Sequence, residues 1–354
     1  MPENSFFVVP RKAVKSKMGK FCILIVAPWY PAGPIKYIAE AFERIGCQIV
    51  RIGPTYNDHM GLDWDTDAVV PDQELPREAP CWNLNDLVDW TTRFYQAPDM
   101  LLVSEENYQT NIVPQSKIPG VLWSFDGWQR NYDRADLFQC TVNFANHPLG
   151  IDLYPRQEID SRWQFLPAAA APWVHKYLGL KPDIWDFCLL ASDYGKRKAM
   201  CEKLVKDGFR VRYGQLATRE YVAVYNRSLA TFHNARPGEI KWRFFESAAM
   251  GCLNISGESK LFSWLGYKAW EEYIPIGTPV EKEWPEADDL SKLLHLTKNN
   301  PHHATHIAEK ARKRVLMQDT YLHRAKTVLS SLGFTDMVAE ADKTIEVESA
   351  KEGA

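Results

Sequence analysis

Four features are missing from this 354-residue sequence, and each absence excludes something. There is no apolar run of about 18 residues, so no membrane-spanning helix is predicted. The longest apolar stretch, residues 21–28 (FCILIVAP), follows basic residues Arg11, Lys12, Lys15, Lys17 and Lys20, much as a signal-peptide core would. Trp29-Tyr30-Pro31 is a poor cleavage site, however, so the stretch reads as a first buried strand behind a basic arm, residues 1–19. No CxxC pair occurs. The seven cysteines (Cys22, Cys47, Cys81, Cys140, Cys188, Cys201, Cys252) are scattered and odd in number, which argues against a disulfide framework or zinc site and for a reducing, cytoplasmic setting. No GxGxxG occurs, so a nicotinamide-type dinucleotide fingerprint is absent. Nor is there a charge excess: 42 Lys+Arg against 45 Asp+Glu give −3, which argues against a globally basic nucleic-acid binder.

What is present is ordinary globular composition, 45% hydrophobic and 25% charged, in a chain too long for one core of roughly 250–300 residues. Two domains are therefore expected. Short apolar runs alternate with amphipathic segments, the pattern of parallel strands covered on both faces. The first series of predicted strands is 21–27, 48–52, 99–103, 120–125, 140–144 and 163–166. The second is 186–191, 209–213, 229–233, 252–255 and 273–276. Each series opens on strand, helix (35–45 or 196–207), glycine (Gly46 or Gly208) and strand, the glycine suiting a left-handed helix end. Residues 167–182 hold three prolines and no strand, and read as a linker. The expected fold is α/β, two Rossmann-like doubly wound domains (20–166 and 183–318) facing a cleft. Three helices are predicted over 288–300, 302–316 and 319–332. Residues 319–339 are expected to pack back on the first domain, and 340–354 read as a charged tail, either a frayed helix end or, by default, disordered.

Four stretches could carry chemistry. Residues 27–34 (APWYPAGP) end the first strand and open a helix. Gly33 there offers either an anion-binding helix start or a plain proline-rich turn. Asp126 follows the strand VLWSF between Trp123 and Trp128, where a partly desolvated carboxylate could act as a base or simply close a turn. Residues 234–251 (NARPGEIKWRFFESAAMG) place Lys241 and Arg243 at a helix start and Glu246 one turn in. This suits a pyrophosphate clamp with a carboxylate for a ribose diol, or a surface loop with internal ion pairs. Lys196, Arg197 and Lys198 open another helix at its positive end, a conflict that an anion would resolve. Trp29, Trp123 and Trp128 fall at strand ends facing the expected cleft, where aromatic faces suit a sugar or base. His302, His303 and His306, like the basic run 310–314 (KARKR), read as solvated helix surface.

These residues carry a resemblance. Arg243-Phe244-Phe245-Glu246-Ser247-Ala248-Ala249-Met250-Gly251 is similar to the R-x-FE-x-x-A-x-G run of GT-B glycosyltransferases of the group 1 and spore-maturation (CgeB-like) type. Tyr213-Gly214, Tyr225-Asn226-Arg227-Ser228, Asp319-Thr320-Tyr321 with Arg324, and Val121-Leu122-Trp123 with Asp126 resemble further elements of that family, over roughly residues 20–330. The resemblance implies a nucleotide-diphosphate sugar, UDP-linked, as co-substrate, with no prosthetic group and no catalytic metal. Arg197, Lys241 and Arg243 match diphosphate contacts, and Glu246 matches the carboxylate that holds the ribose. The family's other glutamate, eight positions earlier, falls on Gly238, with Glu239 one place away. Asp126 is the expected base, and Trp29, Gly33, Trp123 and Trp128 the expected acceptor side. The acceptor stays open: a small molecule, a glycan, a protein or, as for some phage enzymes, hydroxymethylated pyrimidines in DNA. A non-catalytic nucleotide-sugar-binding or structural role is the third alternative.

Overall fold

The computed structural model describes residues 19–58, 68–75, 77, 84–104, 118–124, 141–146, 163–192, 196–233, 240–257, 259–277 and 285–353. The first half carries β1 (Cys22–Val26), α1 (Pro34–Ile45), β2 (Gln48–Gly53), β3 (Gln73–Glu74), α2 (Leu84–Phe94), β4 (Met100–Ser104), β5 (Gly120–Ser124), β6 (Val142–Ala145) and β7 (Trp163–Phe165). Its strands form one sheet in the order β3-β2-β1-β4-β5-β6-β7, with parallel pairing throughout. Strand β1 is buried along its whole length, which is why it reads as an unbroken apolar run rather than an alternation.

The second half carries β8 (Trp185–Leu189), α3 (Arg197–Lys206), β9 (Val211–Tyr213), α4 (Thr218–Tyr225), β10 (Ser228–His233), α5 (Trp242–Ala249), β11 (Leu253–Gly257), α6 (Lys260–Trp264) and β12 (Ile274–Ile276). This sheet is also parallel, in the order β12-β11-β10-β8-β9. Helices α7 (Ala287–Asn299), α8 (Pro301–Gln318), α9 (Tyr321–Ser331) and α10 (Thr335–Glu352) close the chain. The fold is thus the expected pair of doubly wound α/β units, and Gly46 and Gly208 take left-handed backbones after α1 and α3. No described helix is long and apolar enough to cross a membrane.

The chain re-enters the first unit at its end. Tyr321, Leu322, Ala325, Val328 and Leu329 of α9 share one apolar cluster with Ile35, Ile38 and Phe42 of α1. Helix α10 corrects the expectation of a disordered tail after residue 340. Met337, Val338, Ala341 and Ile345 recur on one face and pack against the same cluster. The stripe is made of small and medium side chains between charges, so composition alone hid it. On the opposite face of the first sheet, Leu84, Leu87 and Trp90 of α2 cover a second cluster built on Leu24, Leu101 and Leu122.

The two crossings between units lie side by side. Ala170 donates its N–H to the Asp319 carbonyl and accepts from the Tyr321 N–H, both at 2.9 Å. Arg324 donates to the Pro167 and Ala168 carbonyls at 2.8 and 3.2 Å and pairs with Asp319. Asp319 in turn accepts from the Tyr267 hydroxyl at 2.8 Å. The Asp-Thr-Tyr-x-x-Arg run therefore ties the two crossings to each other.

Candidate functional site

In a doubly wound sheet the ligand crevice opens where the strand order reverses, beyond the carboxyl ends of the strands. In the second sheet that reversal lies between β8 and β10, because β9 and β11 flank them on opposite sides. The segments leaving β8 and β10 lead to Arg197 and to Lys241, Arg243 and Glu246. Two helix starts 45 residues apart in sequence, Arg197 and Trp242, thus follow the two strands that flank the reversal.

Glu246 sits in the second turn of α5 and is only 6% exposed. Its Oε2 accepts the Tyr221 hydroxyl of α4. Its Oε1 lies 3.4 Å from His175 Nε2. Burial, partly offset by the Tyr221 hydrogen bond and Arg243, lifts the carboxyl from 4.5 to about 7. His175 is buried and is pushed down to about 3, by desolvation first and Lys36 second, so the ring is neutral. Its Nδ1 accepts the Ala171 N–H at 3.1 Å, which leaves the ring proton on Nε2, the atom facing Glu246.

Helix α5 is anchored from below by a buried polar set. His233 Nε2 lies 3.0 Å from both Ser247 Oγ and Asn254 Oδ1, and Asn254 Nδ2 donates to the Phe244 carbonyl at 2.9 Å. Because Asn254 Oδ1 can only accept, Nε2 of His233 carries the proton. Lys241 is the N-cap of α5 and Arg243 its second residue, both half-buried. They add cations to a helix end that already carries positive partial charge, an arrangement suited to an anion.

The other expected site residues divide. Arg197 is 8% exposed and donates to the Ser192 carbonyl at 2.8 Å, so its guanidinium folds back over the exit of β8. Gly33 is the N-cap of α1 with φ +150°, and a Cβ built there would meet open space. Trp29 and Trp123 correct the expectation of exposed aromatic faces. Both are fully buried, and their indole N–H groups donate to the Ile52 and Leu166 carbonyls, so they are core residues with satisfied polar ends. Asp126, Trp128 and Glu239 lie outside the described residues. His302, His303 and His306 are exposed on α8, and Lys310, Arg312 and Arg314 pair with Glu271, Glu352 and Glu272.

Sequence reading missed His175, Tyr221 and Lys36. Lys36 had a signal, a cation in the first turn of a helix, the same conflict that drew attention to residues 196–198. A histidine in an alanine- and proline-rich linker had none, because its partner is 71 positions further along the chain.

Residues 173–330 match the family model described as glycosyl transferase-like. No curated protein sequence matches the chain. Among solved structures, a glycosyltransferase from Rickettsia africae aligns with a TM-score of 0.61 at 10% identity, over 89% of this chain and 98% of that one. Anabaena HepE in complex with UDP-glucose aligns with a TM-score of 0.58 at 11% identity, over 88% and 99%. An α-glucosyltransferase in complex with UDP-glucose and DNA containing an abasic site gives 0.54 at 12% identity, over 89% and 100%. At such identities the likeness is one of fold, and that fold is the two-unit GT-B arrangement.

Proposed function

We propose that this protein is a glycosyltransferase of the group 1 type that moves a sugar from a nucleotide-diphosphate sugar, UDP-linked by preference, to an acceptor hydroxyl, with the nucleoside diphosphate as leaving group. The observation that carries the reading is Glu246. It is a buried carboxylate one turn behind the cations that open α5, at the reversal point of the second sheet, inside the segment matching the family model. A ribose diol can donate to such a carboxylate while Lys241, Arg243 and Arg197 attract the diphosphate.

Breaking the sugar–phosphate bond builds negative charge on the departing diphosphate. Cations and helix N–H groups already in place lower the energy of that charge without reorganising at the moment of reaction. In this reading they do the work a divalent ion would do elsewhere. Asp126 removes the acceptor proton if the reaction inverts, and positions the acceptor if it retains.

A thermal-shift screen of nucleotide sugars tests the donor, since a ligand of the folded state raises the melting temperature. Stabilisation by one nucleoside-diphosphate sugar and its parent diphosphate is expected. No stabilisation by any of them overturns the reading. One structural neighbour is in complex with DNA, which supports a second acceptor reading at modified DNA bases. Salt-sensitive retention of DNA in a gel shift supports that acceptor, and no retention at low salt removes it.

A further inference from the structure

The segment between the two units is held on both sides, and His175 is where the hold changes hands. Before it, Trp173 belongs to the first unit. Its indole N–H donates to Glu40 Oε2 of α1 at 2.7 Å, and the Arg44 guanidinium lies 4.4 Å over its ring. After it, Lys176 and Leu178 belong to the second unit. Asn226 of the second unit donates to the Lys176 carbonyl at 2.8 Å and accepts the Leu178 N–H at 2.6 Å. The His175 ring lies between the units, with Tyr37 of α1 at 5.1 Å edge-on and Tyr221 of α4 at 6.3 Å.

The ring's two nitrogens face different things. Nδ1 accepts the Ala171 N–H, one residue beyond the Ala170 pairing that joins the two crossings. Nε2–H faces Glu246 Oε1 at 3.4 Å, longer than a formed hydrogen bond. A small shift of the carboxylate on ligand binding would close that gap, and the imidazole would carry the shift into the turn 171–175.

We propose that His175 is a positioning residue that couples nucleotide binding at Glu246 to the hinge between the two units. The proposal rests on the donor-site reading of Glu246. Gln at this position keeps an N–H donor where Nε2 stands, whereas Asn keeps an acceptor where Nδ1 stands and loses the donor. The test is calorimetric affinity for the nucleoside diphosphate (UDP, GDP or dTDP, each tried), together with amide exchange of peptides covering 167–178, on the full chain.

In the wild type the nucleotide is expected to slow exchange in that segment. His175→Asn is expected to bind about tenfold more weakly and to lose the slowing even at saturation, while His175→Gln, which keeps the donor to Glu246 and loses the Nδ1 acceptor, retains the affinity and part of the slowing. Equal affinity and equal slowing in Asn and Gln variants would overturn the coupling. So would wild-type protein that binds nucleotide with no change in the 167–178 peptides, a readout needing no variant. Wild-type protein that binds none of the three diphosphates overturns the donor reading itself, and the coupling with it.

Discussion

Arg324 pairs with Asp319 at 2.7 Å, five residues apart, where the chain returns from the second unit to the first. Both side chains are buried, and the guanidinium also serves the Pro167 and Ala168 carbonyls of the other crossing. Removing one partner of a buried pair leaves the other charge uncompensated. Arg324→Ala is therefore expected to destabilise the chain by about 3–5 kcal/mol, read by urea denaturation. Arg324→Lys should recover little, because an ammonium cannot reach three acceptors from one plane. Full recovery by lysine would show that charge alone matters here.

Glu246 gives a prediction with a sign. Its folded value, about 7, lies above the ordinary 4.5, so the folded state holds the proton more tightly than the unfolded chain does. The resulting stability is fully present below about pH 4.5 and is lost as pH rises through 7. The melting temperature of the wild type should fall across this window relative to Glu246→Gln. Nucleotide affinity should move the other way, rising with pH as the carboxylate ionises and becomes a full acceptor. A flat difference between the two proteins would remove the titration from Glu246.

Glu246→Ala should weaken nucleotide binding about ten- to a hundredfold, the scale of lost hydrogen bonds to a charged group. Asp126→Asn should leave that affinity intact and slow transfer about 10²–10⁴-fold, the usual contribution of a positioned base. Single-turnover assays at saturating donor separate the two effects. Unchanged donor affinity in Glu246→Ala would remove the ribose assignment.

Gly251 closes the motif run for a steric reason. Its φ is +77°, and a Cβ there would stand 2.7 Å from the Tyr177 ring. Gly251→Ala is expected to cost about 1–3 kcal/mol in chemical denaturation. Pairing it with Tyr177→Ala should recover only part of that, since the backbone strain remains. Complete recovery would assign the whole effect to the clash.

Transfer is expected to persist in EDTA at the rate seen without it, because the proposed leaving-group stabilisation uses Arg197, Lys241, Arg243 and the start of α5. Loss of activity on chelation, restored by a divalent cation, would overturn metal independence.

Most strand positions were legible because strands buried on both faces are spelled as short apolar runs, as in CILIV and MLLVS, whereas the two polar residues of β3 carry no such signal. Two repeated openings ending on Gly46 and Gly208 made the division into two units legible as well. The motif around Glu246 was readable because a helix end, two cations and a carboxylate lie within six residues of one another. Helix α10 was not readable, since its apolar stripe is sparse and is meaningful only once α1 and α9 stand beside it. The roles of Trp29 and Trp123 were misread, because a tryptophan at a strand end looks the same in sequence whether it faces solvent or core.

Sequence by itself determined where the buried strands and the strongly patterned helices fall, and which helix starts carry cations. Those properties depend on local spacing and side-chain type. Only the tertiary structure decided what surrounds Glu246. Tyr221, His175 and Arg243 come from α4, the interdomain segment and α5, and Lys36 of α1 acts on His175 from the other unit. Burial and proximity are properties of the assembled chain. They lift the Glu246 carboxyl from its ordinary value to about 7 beside the crossings between the units.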